Sequence, residues 1–295
     1  MSQGQPITQE LGIGEVVSKT FDLFRRGFVK YVLLFAVVEA ISGILTTLVQ
    51  RAYVIPTLPA NPTPEQVSNW IPGFLGALVP LIGFSALIAL VFVPVAVGST
   101  IKMASEEIEK GQVDLGASVR FSISKLVWMW ALGIIVGIIV GLGLIALIIP
   151  GIILSIMFCL SLNALLTEDA GVLGSMSRSR ELVSHRWLKT FVVFLIFVII
   201  VAIAGAIVGV ISSPFGIASN VVSSILSSLY VPLLPIAMTV YYYSSVARLP
   251  TSQGAQPALA PSAGPQVGMK YCSNCGTQMP AAAVYCPKCG IRTLP

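Results

Sequence analysis

The sequence predicts an all-α integral membrane protein: six transmembrane helices with interfacial amphipathic helices, followed by a small C-terminal domain of β-hairpin knuckles. Three observations carry this reading. Of 295 residues, 56% are hydrophobic and only 10% charged, where a soluble domain carries about a quarter charged residues, so much of the surface must face lipid. The apolar residues are gathered in runs of about 20, the length of a bilayer-spanning helix. Four of the five cysteines stand apart from those runs, as two Cys-x-x-Cys pairs near the C-terminus.

Residues 1–248 read as the six-helix domain, with spans expected at about 29–49, 73–101, 126–148, 151–167, 188–212 and 221–246. The N-terminus, Met1 to Glu10, is polar and lacks the basic and apolar regions of a signal peptide. Gly14 to Phe28 reads as an amphipathic helix, with Val17, Phe21, Phe24 and Phe28 on one face and Glu15, Lys19, Asp22 and Arg25 opposite. Such a helix is expected to lie in the membrane interface. The first span follows. Arg51 to Ile71, with Pro56, Pro59, Pro62 and Pro64, reads as a polar loop. The second span carries Pro80 and Pro94 as expected kinks and runs into Glu106, Glu107 and Lys110, closed by Gly111.

The third and fourth spans form the clearest unit, a helical hairpin. An apolar run from Leu126 to Ile149 is broken by Pro150 and Gly151, a gap that leaves room only for a tight turn, and resumes at Ile152. The fifth span turns at Ser213-Pro214-Phe215-Gly216. The sixth is expected to kink at Pro232 and Pro235. Gly133, Gly137 and Gly141, and then Gly205 and Gly209, recur every four residues, a spacing that lets helices approach closely in lipid. A weak repeat is also visible: each pair of spans is entered through a basic, half-apolar segment, Gly14 to Phe28, Gly116 to Lys125 and Gly171 to Lys189.

Charge sets the expected orientation. All of the 17 Lys and Arg except Arg51 fall in segments that six spans place on one side. The positive side is cytoplasmic, so both termini are expected in the cytoplasm of a multi-pass cell-membrane protein.

After Arg248, residues 249–269 are rich in Pro, Ala, Gly, Gln and Ser and read as a disordered linker. Residues 270–295 carry Cys272-Ser-Asn-Cys275-Gly276 and Cys286-Pro-Lys-Cys289-Gly290. Two thiolates three residues apart can hold one metal from a tight turn, and a Gly after the second lets backbone amides turn toward sulfur. Four thiolates suit one tetrahedral Zn(II) with no open position, so the ion is expected to be structural. Such paired spacing marks a metal site in a reducing compartment rather than a disulfide framework. Cys159, alone in an apolar run, is not expected to take part. The tail resembles the short zinc-ribbon domains at the ends of many prokaryotic membrane proteins. Lys270, Lys288 and Arg292 would give it a basic surface, with Tyr271 and Tyr285 packing its small core.

Two further features bear on function. Glu39 stands in the middle of the first span. An intramembrane carboxyl is costly, so it reads either as an ion, proton or substrate contact or as a neutral acid hydrogen-bonded inside the bundle, with Asn163 a candidate partner. The central stretch, Ile149-Pro150-Gly151, Glu168-Asp169, Arg178-Ser179-Arg180-Glu181-Leu182-Val183 and Arg186-Trp187, resembles the membrane domain that accompanies some glycerophosphoryl diester phosphodiesterases. That domain also occurs alone in uncharacterised six-span proteins. The family's catalytic domain is separate and has no counterpart in this sequence, so the resemblance implies no chemistry here. Enzyme signatures are otherwise lacking. The single histidine, His185, has no partner set, and Glu168-Asp169 reads as a helix cap. The expected function is therefore non-catalytic: a membrane organiser or regulator that meets a cytoplasmic protein partner through the ribbon, with nucleic acid not an expected partner. The alternative is a transporter or lipid-handling protein with Glu39 in its path.

Overall fold

The computed structural model describes residues 6–52, 57–58, 60–249, 269–271, 278–280 and 289. The chain divides into two compact units, 1–249 and 250–295. The described part of the first is built of helices. Its elements are α1 (Ile13–Arg26), α2 (Phe28–Ala52), α3 (Pro64–Leu87), α4 (Val93–Lys110), α5 (Leu115–Ala146), α6 (Ile148–Phe158), α7 (Ser161–Thr167), α8 (Gly171–Ser184), α9 (Trp187–Ser212), α10 (Ser219–Ser227) and α11 (Leu233–Arg248). Among the described residues, four segments are long and apolar enough to cross a membrane: Phe28–Leu48, Leu115–Ala146, Ile148–Thr167 and Trp187–Gly216.

The other two expected spans are interrupted. The second begins earlier than expected, at Pro64. Thr63 and Gln66 exchange hydrogen bonds across the first turn as a capping pair, and proline suits that first position. The helix then opens into one π turn over Ile88–Phe92 before α4. The cause is Pro94. It has no N–H to give the carbonyl of Leu90, four residues earlier, and a membrane leaves no water to replace it. The indole Nε1 of Trp130 on α5 donates to that carbonyl instead, at 2.5 Å. The sixth span is likewise divided into α10 and α11, with Pro232 capping the start of α11.

Helix ends follow local chemistry. Gly111, at φ 67°, ends α4 and returns its amide to the Glu107 carbonyl. The Asp114 carboxylate accepts from the Ala117 amide and starts α5. The turn of the α5–α6 hairpin falls at Leu147, which is extended (φ −163°, ψ 144°), three residues before the expected Pro150. Pro150 sits within the first turn of α6. Gly151 is where the hairpin closes: a Cβ there would stand 2.8 Å from the backbone nitrogen of Leu144.

Two expectations are corrected. The segment 116–125 is not a separate entry helix but the continuous first part of α5. The Gly133, Gly137 and Gly141 row of α5 does not pack its hairpin, unlike Gly143: a Cβ at any of the three would meet nothing within 4 Å among the described residues, and the same is true of Gly209. Close approach occurs instead at Gly43 on α2, where a Cβ would lie 3.1 Å from the Cα of Val221 on α10. α1 buries one side in the bundle and leaves part of its aromatic face outside it. Val16, Thr20, Leu23 and Phe24 are buried, whereas Phe21 and Phe28 stay exposed.

The second unit contains two short antiparallel strands, β1 (Met269–Tyr271) and β2 (Gln278–Pro280), in the register Met269↔Pro280, Lys270↔Met279 and Tyr271↔Gln278.

Candidate functional site

The sequence of α11 explains why it becomes the hub of the helical unit. Leu233, Ile236, Ala237, Val240 and Tyr241 are buried, but so are Thr239, Tyr242, Ser244 and Ser245. Burying hydroxyls is favourable only where each finds a partner. Successive side chains of a helix point about 100° apart, so the run Tyr241-Tyr242-Tyr243 reaches three different elements. The Tyr241 hydroxyl meets Thr190 of α9 at 2.9 Å. Tyr242 donates to Glu168, just past α7, at 2.5 Å. Tyr243 donates to Glu109 of α4, also at 2.5 Å. Thr239 accepts from Asn163 of α7, Ser244 accepts from the Leu11 amide ahead of α1, and Arg248 donates to the Leu182 carbonyl of α8.

Glu168 is the second node. Besides the Tyr242 phenol, it accepts from Arg178 Nε at 2.9 Å, and the same guanidinium reaches Glu181 at 2.8 Å. Burial works against the Arg178 charge, but the hydrogen bonds to Glu181 and Glu168 outweigh it and hold the pKa above the ordinary arginine value. Glu168 and Asp169 do not cap α8, whose N-cap residue is Ala170 with no side-chain bond. Glu168 is drawn to Arg178 and Tyr242 instead. Asp169, in the left-handed region at φ 53°, pairs with Lys125 of α5. Glu10 is bound by Lys189 at 2.5 Å and Arg186 at 3.4 Å. The Lys189 bond holds its pKa below the usual carboxylate value. These contacts gather basic segments from across the sequence at one end of the bundle. His185, at the end of α8, is exposed and meets the Ser184 hydroxyl.

Glu39 lies elsewhere, on the face of α2 that crosses α10. Its carboxyl interacts with Ser227 of α10, whose hydroxyl donates to the Ser224 carbonyl at 2.6 Å. Asn163, the expected partner, is committed to Thr239. The sequence carries a signal for this crossing that the reading of spans passed over: Glu39, Gly43 and Thr47 at four-residue steps on α2, and Ser224 and Ser227 three residues apart on α10. Likewise, three consecutive tyrosines followed by two serines, Ser244 and Ser245, at the end of an apolar segment are the visible sign of the α11 hub.

In the tail, β1 and β2 pair on either side, in sequence, of the first Cys-x-x-Cys pair. Cys272, Cys275 and Cys286 lie outside the described residues, and Cys289 sits in a turn. Among the described residues no group of three or more His, Cys, Asp or Glu forms a metal site. Two Cys-x-x-Cys pairs, four thiolates in all, are a donor set that fits a structural Zn(II). Cys159 is set in the membrane part between α6 and α7, away from that pair in sequence.

Comparison with known families matches residues 271–292 to the zinc-ribbon domain. No curated protein and no solved structure matches the chain. The chain is thus a helical, membrane-compatible protein that carries a zinc-ribbon domain.

Proposed function

We propose that the chain is a non-catalytic, six-span cell-membrane protein that organises or regulates a cytoplasmic protein partner through its ribbon, with both termini cytoplasmic. The observation that carries this reading is the zinc-ribbon match at 271–292, in a unit separate from the helices. Cys272, Cys275, Cys286 and Cys289 would hold one Zn(II), which supplies folding free energy rather than reactivity. The helical unit supports the same reading. Glu109, Glu168, Arg178 and Arg248 are tied into the α11 hub and the Glu168–Arg178 clasp, and Glu39 faces Ser227 of α10. The resemblance of residues 10–248 to the phosphodiesterase-associated membrane domain belongs to this reading too, as that of a scaffold.

The test is capture of partners from a membrane extract by the full chain, by a version cut at Thr251, and by the full chain stripped of zinc. A partner retained by the intact chain and lost from both others supports the ribbon as the contact. A partner retained by the cut version refutes it.

A further inference from the structure

A cleft of about 450 Å³ opens where α1 meets α2, beside the loop that follows α4. Its volume is within the range of small-ligand sites, about 300–1,000 Å³. Arg25, Arg26 and Lys30 line it, with Glu107 and Val113 on the opposite wall. Gly27 makes the corner. Its amide closes α1 onto the Leu23 carbonyl, and a Cβ there would fall 2.5 Å from the Tyr31 ring, so the bend depends on glycine. The first turn of α2, with the positive end of the helix dipole, therefore also faces the cleft.

Charge in the cleft is unbalanced. Three cations line it, and Lys30 is held across it by a bond to the Val113 carbonyl at 2.5 Å. Arg26 shares its charge with Asp22 at 2.7 Å. The one acid among the described lining residues, Glu107, is nearly buried and accepts from the Tyr31 hydroxyl at 3.4 Å. Burial favours its neutral form, against the Tyr31 bond and the nearby Arg26 and Lys30. An anion is what such a lining recognises.

The rest of the cleft says which anion. Phe28 and Val29 line it beside the cations, and both are exposed. Below them an apolar stripe runs down one face of α2: Val29, Leu33, Val37, Ile44 and Leu48, all exposed and spaced by four or seven residues. A soluble phosphate would use the cations and leave the stripe unused. A phospholipid would use both, its phosphate among the cations and an acyl chain along α2. We infer that the α1–α2 corner is a binding site for one anionic phospholipid, with Arg25, Arg26 and Lys30 receiving its headgroup.

The experiment uses the full-length protein in neutral detergent, titrated with phosphatidylglycerol or phosphatidylcholine and read by native mass spectrometry. One phosphatidylglycerol per chain is expected to bind well ahead of phosphatidylcholine. A basic residue near an anionic lipid surface contributes about fivefold in affinity, so the R25Q/R26Q/K30Q variant should bind about a hundredfold more weakly. A charge-matched control, R120Q/R180Q/R186Q, alters exposed residues outside this lining and should change binding by less than about twofold. Equal binding by the wild type and the R25Q/R26Q/K30Q variant would overturn the site, as would equal losses in both triple variants. Displacement of the lipid by millimolar inorganic phosphate would show that a soluble anion is the occupant and would overturn the lipid assignment.

Discussion

Gly43 tests how the bundle is packed. A methyl group there would lie 2.8 Å from Ser224 Oγ, 3.0 Å from the Ser224 Cβ and 3.1 Å from the Val221 Cα. The hydroxyl can rotate away, but the Val221 backbone moves only with its helix, so Gly43→Ala must push α10 off α2. Overpacking of this kind costs about 1–3 kcal/mol. Alanine returns up to ~1 kcal/mol through its better helix propensity, leaving a net loss of about 1–2 kcal/mol. In a chain of this size each kcal/mol moves the thermal midpoint by about 2–4 °C, so a fall of about 2–8 °C is expected. Gly137→Ala is the paired comparison. Nothing among the described residues stands within 4 Å of its added methyl, so the midpoint should hold or rise slightly. Both variants are measured by near-UV circular dichroism on full-length protein in one detergent. Equal losses in the two variants, or a loss only in Gly137→Ala, would refute this account of the crossing and restore the α5 glycine ladder as the packing face.

Trp130→Phe should lower stability by about 1–2 kcal/mol, because it strands the Leu90 carbonyl in an apolar setting. In the double variant with Pro94→Ala that cost should largely vanish, since an alanine at that position has the N–H that proline lacks; additive losses in a double-mutant cycle would refute the link. Arg178→Ala leaves Glu168 and Glu181 without their shared cation and should cost about 1–3 kcal/mol, between the values for exposed and buried pairs. Arg178→Lys should recover only part of this, because an ammonium cannot fork between two carboxylates, and full recovery would show that charge alone matters. Elemental analysis should find one zinc per intact chain and none in the chain cut at Thr251. Cys275→Ser or Cys289→Ser should unfold the tail, whose metal supplies about 10 kcal/mol or more, while the thermal midpoint of the helical unit stays put.

Much of this was legible from one sequence, and what was missed has a physical pattern. Apolar runs announce helices because a bilayer imposes their length, and Gly111 marks the end of α4, whereas the caps at Thr63 and Asp114 were passed over and the start of α3 was placed too late. The ribbon was legible because metal geometry fixes cysteine spacing. Long-range partners leave no such local trace. The periodicity of α2 or α5 says that a helix forms but not which face another helix will meet, so the spacing of Gly133, Gly137 and Gly141 looked like a packing face while Gly43, a lone glycine, was the tighter contact. Glu168 likewise looked like a local cap, and only the fold reveals that Arg178 and Tyr242 claim it.

The helical unit orients its helices by two different means, and Glu39 belongs to the second. At the basic end, water is near and charged groups can be satisfied, so Tyr242, Arg178, Lys189 and Arg248 fix α7, α8, α9 and α11 by long side chains. Deeper in the apolar layer each polar group is costly, and helices are set by shape: Gly151 against Leu144, and Gly43 against Val221. Shape alone fixes distance better than it fixes rotation. Glu39 stands one turn before Gly43 on the same face of α2, and Ser227 one turn after Ser224 on α10. The Glu39 carboxyl and Ser227 therefore meet between two helices whose separation Gly43 sets. A contact of this kind would give the carboxyl a structural task, setting the rotation of the crossing as Gly43 sets its distance.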